Sequence, residues 1–437
     1  MRRVTAPHPI GAIPSAVFEV WINGHPAPCL PAPVCAGRGT ASFVTFDASE
    51  PVLVRVRRRD GAPWGTPSVH PKRLAITPET DGDVLEFELP AGANAELRSG
   101  EDSVYAFGHL PAAPPTADIL RYAAGEVHEV GEITLRSGQT LWIEPGAVVR
   151  GVVRAHPAEN VHIGGGGVLQ GVRGADWRRF VVFDGVQNAT ISDITMTHTP
   201  GWMLVLGGCD QVRVQNLHEI GDVIGSDGID IVGSRDVHIT GGLLRNNDDC
   251  VVVKAFDHPE SAHRGSTTWA RDVQNVLVEG ITLANDRAGN ALEIGHELTV
   301  DRVSELTFRD IDILHCHGSG APISINCGDR ATVENVTFED IRIEHHYDKW
   351  VSLRVMKSRF NRDDARGHIR NIRFRRIDTE ESIYNAGYTV SVIGGWDEHH
   401  RVSGVHFEQC TYGNQPLSSA DDIELFTRYA DDLTFTP

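Results

Sequence analysis

The feature that most constrains this chain is a strand-rich repeat that begins near residue 125 and runs almost to the end. Its core is a short motif of the type N-V-x-I. It is seen at Asn160-Val161-His162-Ile163, Asn188-Ala189-Thr190-Ile191, Gln211-Val212-Arg213-Val214 and Asp236-Val237-His238-Ile239. It continues at Asn275-Val276-Leu277-Val278, Glu305-Leu306-Thr307-Phe308, Asn335-Val336-Thr337-Phe338, Asn371-Ile372-Arg373-Phe374 and Gly404-Val405-His406-Phe407. The intervals are 28, 23, 25, 39, 30, 30, 36 and 33 residues. Helical periodicity is almost absent. A strand repeat of this length predicts a solenoid, because one unit cannot bury its apolar residues alone while a stack can. A propeller blade would be longer and more regular, and a leucine ladder is missing. One coil of a parallel β-helix fits, with the unequal intervals taken up by corner loops.

Residues 16–100 are different. Short alternating runs at 17–22, 41–46, 52–56 and 84–89 are separated by turn signals such as Asn23-Gly24 and Asp60-Gly61, which predicts a small antiparallel β-sandwich. The proline- and alanine-rich stretch 110–118 reads as a linker. The expected fold is therefore all-β: residues 1–118 as sandwich and linker, and residues 119–437 as a right-handed parallel β-helix.

The formal net charge of −19 argues against a nucleic-acid partner or an anionic membrane surface, each of which needs a basic face. No apolar run reaches the length of a membrane span. The N-terminus lacks the apolar segment of a secretory signal, and seven cysteines without disulfide or metal spacing suit a reducing compartment. The expected location is the cytoplasm.

Three carboxylates stand out by register. Asp227, in Gly225-Ser226-Asp227-Gly228, precedes Asp249, in Asn247-Asp248-Asp249-Cys250, by 22 residues, about one coil. Residues one coil apart stack at about the strand spacing of 4.8 Å, so Asp227 is expected beside Asp248 and Asp249. Carboxylates that close repel, and at least one is expected to hold its proton near neutrality. Glycoside hydrolysis needs such an acid together with a base that activates water, spaced about 6.5–9.5 Å apart for inversion. A calcium site uses the same residues. The same column on neighbouring coils contains Trp202, Asn290, Glu293, His296 and Asn326. Trp202 would stack on a sugar or fill a coil corner. The polar residues would hydrogen-bond hydroxyls, although His296 reads more readily as an ordinary hydrogen-bonded corner histidine.

Ser226-Asp227-Gly228, then Asp248-Asp249-Cys250 and Lys254, resemble the polygalacturonase pattern of glycoside hydrolase family 28, and the repeat extends that resemblance over residues 125–410. The resemblance implies an inverting hydrolase without cofactor or metal. Asp248 would be its general acid, and Asp227 and Asp249 would hold the attacking water. Lys254 and the groove residues would meet an oligosaccharide or polysaccharide substrate. Two positions depart from the family. Asn290 stands where the family has a histidine, and no arginine–lysine motif occurs around Pro322–Asn326. Glu293 and Glu297 are expected to repel an acidic sugar. The leading sandwich resembles family 49, whose members cleave neutral glucans. The expected substrate is therefore something other than plain galacturonan. A polysaccharide lyase, with Lys254 or Arg287 as its base, and a non-catalytic carbohydrate-binding β-helix are the rival readings.

Overall fold

The computed structural model describes residues 5–114, 118–172, 179–257, 267–381 and 390–437. Two five-stranded sheets face each other at the N-terminal end. One contains Phe18–Ile22, His25–Ala27, Val52–Arg58, Glu79–Asp81 and Val84–Leu89. The other contains Leu30–Val34, Gly39–Asp47, Ser68–His70, Asn94–Ser99 and Asp102–His109. Alternation puts Phe18, Val20, Val54, Val56, Leu85 and Phe87 into the space between them. The pairing is antiparallel throughout except that Gly39–Asp47 and Asp102–His109 run parallel, which short runs read singly cannot reveal.

From Ile119–Tyr122 onward, the described strands form one continuous ladder of twenty-eight, parallel from coil to coil, with one antiparallel hairpin between Thr411–Tyr412 and Gln415–Pro416. This is a right-handed parallel β-helix. The repeat anchors explain its corners. Asn160, Asn188, Gln211, Asp236, Asn275, Glu305, Asn335 and Asn371 all have φ between 52° and 60°, and Gly404 has φ 64°. Only glycine, asparagine and aspartate enter this left-handed region at low cost, so the anchor of each repeat, most often an asparagine, is the bend that starts a new side. Asn188 donates to Asn160 and Asn371 to Asn335, each at 2.5 Å, so the anchors also stack as a ladder. The apolar residue three positions on points inward. Phe308, Phe338, Phe374, Phe407 and Phe435 stack with centroids 4.7–5.2 Å apart, close to the strand spacing.

The sandwich lies along the flank of the solenoid. Leu30, Phe43, Tyr105 and Phe107 pack on Val148, Val168, Ile220 and Leu243. Around this apolar contact, His70 pairs with Glu344, Lys72 with Glu380, and Arg73 with Asp312. Residues 115–117 of the expected linker, and 258–266 within the long interval between Asp236 and Asn275, lie outside the described residues. Among the described residues, no helix is long and apolar enough to cross a membrane.

Candidate active site

Five successive coils supply the strands Trp202–Gly207, Ile229–Val232, Val251–Ala255, Leu292–Leu298 and Ile323–Cys327. Their register is continuous: Leu204 faces Ile229, then Val251, Leu292 and Ile323, all directed into the core. Two residues earlier on each of the first four coils stand Trp202, Asp227, Asp249 and Asn290. The backbone continues their stacking. Met203 N–H donates to the Asp227 carbonyl, Gly228 N–H to Asp249 and Cys250 N–H to Asn290, at 2.8–3.0 Å. The coil-length spacing thus becomes a physical column.

Asp227, Asp248 and Asp249 meet there, each with a carboxylate oxygen within 4.8 Å of the other two. This closest approach is tighter than the separation expected for an inverting pair. Asp249 is buried, and its Oδ1 accepts from the Asn290 backbone N–H at 2.7 Å and from Asn290 Nδ2 at 2.9 Å. Asp227 Oδ2 accepts from Lys254 Nζ at 2.8 Å, and the same ammonium donates to Asp230 at 2.7 Å. Asp248 is half-buried and, among the described residues, receives only the Asp249 backbone N–H, at 3.0 Å. Burial first, then the neighbouring Asp227 and Asp249 charges, push the Asp248 carboxyl up to about 9. Burial and Asp227 also raise Asp249, but Lys254 and the two Asn290 hydrogen bonds limit it to about 6. Near neutrality, Asp248 is therefore a proton donor and Asp249 is ionised. Gly289 makes this proximity possible: at φ +67°, a Cβ there would lie 2.3 Å from Asp248 Oδ1 and 2.6 Å from Asp249 Oδ1.

Hydrogen bonds tie the supporting turns together. Asn247 Nδ2 donates to the carbonyls of Gly221, Asp222 and Val223, and Asn247 N–H to Ser226 Oγ. The turn before Asp227 and the one before Asp248 are thereby joined. Arg245 binds Asn247 and Asp286, and the sandwich's Gly37 N–H binds Asp222.

The residues expected to touch substrate divide into two groups. Trp202 and His296 are partly exposed. The ammonium of Lys254 lies 3.8 Å from the Trp202 ring centroid and occupies part of its face. His296 packs on Phe360, and burial, with Arg354 and Lys254 nearby, lowers its imidazole to about 4, so it is a neutral hydrogen-bonding group. Lys254, Asn290, Glu293 and Asn326 are each 6% exposed or less, and their polar atoms are committed within the protein. Lys254 neutralises Asp227 and Asp230. Asn290 Oδ1 accepts from Ala321 N–H while its amide holds Asp249. Asn326 bridges Glu293, Ser324 and Arg354. These four lie beneath the aspartates and groove floor, with their polar atoms bonded within the protein. Burial and then Asp249 push the Glu293 carboxyl up to about 8, which favours its protonated form at neutrality.

Sequence reading missed Asp230 and Arg354. Asp230 lies three residues beyond Asp227, and the alternation of Ile229-Asp230-Ile231 carries the signal: a charged residue set between buried ones. Arg354 faces Asn326 across one coil, on Val351–Val355. Beside it, Arg359 lies over Phe360 and Arg362 over Phe256.

A sandwich leading into a parallel β-helix, with three aspartates at one rim, defines the class of protein. Residues 159–344 match the family model described as Glycosyl hydrolases family 28. An endopolygalacturonase of Emericella nidulans is 24% identical over 236 residues, covering 50% of this chain and 55% of that protein. A polygalacturonase of Juniperus ashei is 33% identical over 75 residues, covering 17% of the chain and 15% of the relative. The chain spans about half the length of the longer-matching curated relatives. Among solved structures, Dex49A from Penicillium minioluteum superposes with a TM-score of 0.67 at 12% identity, covering 97% of this chain and 96% of that one. That superposition takes in sandwich and solenoid together. An exopolygalacturonase from Thermotoga maritima gives 0.55 at 15% identity, covering 72% and 84%. The chain is a family 28-like β-helix.

Proposed function

We propose that the protein hydrolyses an O-glycosidic bond of an oligosaccharide or polysaccharide. Asp248 protonates the departing oxygen. Asp249, with Asp227, holds and deprotonates the attacking water. The observation that carries this reading is the division of protonation within one cluster: Asp248 is held protonated to about 9, while Asp249 titrates near 6. Two interacting carboxylates pushed apart in this way supply an acid and a base at the same pH. The lyase reading is disfavoured by the same geometry, since Lys254 is saturated by Asp227, Asp230 and the Trp202 ring and is not free to abstract a proton. The likeness to polygalacturonases supports hydrolysis with inversion. The close packing of the three carboxylates favours a second reading, a double displacement with retention, because a nucleophilic carboxylate sits nearer its acid.

An acidic glycan is the proposed substrate class. The expectation of a substrate other than plain galacturonan rested on Asn290, the absent arginine–lysine motif and the family 49-like sandwich, and also on repulsion from Glu293 and Glu297. Burial holds Glu293 protonated and also raises Glu297, while Arg354, Arg359 and Arg362 stand alongside. The test is reducing-sugar release from matched panels of uronate-containing and neutral oligosaccharides, with the first-formed anomer read by proton NMR. Cleavage of a uronate substrate to the inverted anomer, undiminished by a chelator, is expected. Retained configuration would select double displacement. Loss of activity on chelation would make the aspartates a cation site.

A further inference from the structure

A second cluster of ligand-type side chains lies at the seam between sandwich and solenoid. His315-Cys316-His317 alternates, so Cys316 turns inward and the two imidazoles project together, stacked with centroids 4.3 Å apart. Both face Asp286. His315 Nε2 and His317 Nδ1 are each 3.6 Å from Asp286 Oδ1, and one atom from each of the three residues lies within 4.8 Å of the others. Arg245 takes Oδ2 of the same carboxylate, which fixes its orientation and leaves Oδ1 for the histidines. His315 is 5% exposed, yet among the described residues its Nε2 has no hydrogen-bond partner. Such an atom, buried and aimed at a carboxylate just beyond hydrogen-bonding range, needs a third body to satisfy it.

We infer that Asp286, His315 and His317 bind a divalent transition ion of the zinc class. A tetrahedral ion with bonds of about 2.05 Å sets its ligands about 3.3 Å apart, so each histidine nitrogen need close on Asp286 by only a few tenths of an ångström. Two imidazole nitrogens and one carboxylate oxygen suit zinc, cobalt or nickel rather than the oxygen-seeking calcium or magnesium. Exposed His317 leaves the outer side open to water. The protonation states fit as well. Burial, with His317 and Arg98 nearby, holds His315 neutral. Burial opposes the charge of Asp286, but His317, Arg245 and His315 keep it ionised. One rearrangement is required. Arg98 lies 3.2 Å from His315 Nδ1 and can only donate there, so the ring proton sits on Nε2 before binding. On binding, the proton shifts to Nδ1 and Arg98 turns fully to Glu96, with which it already shares a 2.7 Å bond.

This site is independent of the proposed hydrolysis. The test is calorimetric titration of the chelator-stripped full chain with zinc chloride, together with the visible absorption of the cobalt form. Wild type and Asp248→Asn should each take one saturable ion, with cobalt bands of nitrogen–oxygen coordination and a raised melting temperature. His317→Gln, at an exposed position, should keep its fold by circular dichroism and bind at least about tenfold more weakly. No saturable binding by wild type, or equal binding by His317→Gln, overturns the assignment. Loss of binding in Asp248→Asn overturns it too, by moving the ion to the other cluster.

Discussion

Asn290→Ala isolates the hydrogen bond that tunes the proposed base. The substitution removes the 2.9 Å bond from Nδ2 to Asp249 Oδ1 but leaves the 2.7 Å backbone bond. A hydrogen bond to a charged group contributes about 1.5–3 kcal/mol, and one pKa unit corresponds to about 1.36 kcal/mol. With the backbone donor retained, the lower figure applies, and Asp249 should rise by roughly one unit, from about 6 to about 7. The sign is fixed because the lost bond favoured the ionised form. The assay is kcat/KM against pH, from reducing-sugar release. Wild type should give a bell with limbs near 6 and 9, where Asp249 loses its proton and then Asp248 does. In Asn290→Ala the acidic limb should move up, lowering the rate about fivefold at pH 6 and by roughly a tenth at pH 8. Ala321 N–H also loses its acceptor, so the urea midpoint should fall at every pH, separately from the limb. A uniform rate loss with an unmoved limb would refute the reasoning, since the bond would then not act on the ionised base.

Other expectations follow from the same geometry. Asp248→Asn should lower kcat by about 10²–10⁴-fold without loss of fold. Because folding raises the Asp248 pKa, its contribution to stability is present below the unfolded value and lost as pH rises towards about 9. The variant should therefore gain on wild type in melting temperature between pH 4 and 9; a constant difference would count against the raised pKa. Lys254→Met leaves Asp227 and Asp230 buried without their cation and should cost about 3–5 kcal/mol in urea unfolding; a loss under about 1 kcal/mol would mean the ammonium is not their counter-ion. Gly289→Ala should lower kcat at least about tenfold by forcing Asp248 and Asp249 apart, and unchanged kinetics would show that their contact is dispensable. Arg354→Gln should raise KM for an acidic oligosaccharide several-fold and leave a neutral one unaffected; equal effects on both would remove the arginine from the specificity argument.

The solenoid was legible because its corners are chemically expensive. A left-handed bend recurs on every coil, and the asparagines that relieve it repeat visibly at Asn160, Asn188, Asn275, Asn335 and Asn371. Gln211 and Glu305 bend the same way without the usual residue, and only their apolar neighbours keep them in the pattern. The aspartate cluster was legible because Asp227 and Asp249 are one coil apart with no insertion between them. Arg354 was not, because the irregular lengths of the intervening corners remove any fixed offset from Asn326. The roles of Lys254 and Asn290 were hidden for another reason. Spacing gives the column a residue occupies but not whether its polar atoms are already spent on neighbours. Asp286 and Cys35 lie 251 residues apart in sequence, and no local pattern connects the sandwich to the turns beneath the site.

The flanking position of the sandwich also bears on how the molecule comes apart. In a bare solenoid each coil touches only its neighbours, so stability is a sum of local steps and the ends can fray independently. Here a single compact body grips the stack from Val148 to Glu380 through an apolar patch and a row of ion pairs. No coil in that span can peel away without breaking contacts that its distant fellows share. The sandwich works as a splint that turns a chain of nearest-neighbour links into one cooperative unit, with the aspartate column held in its middle.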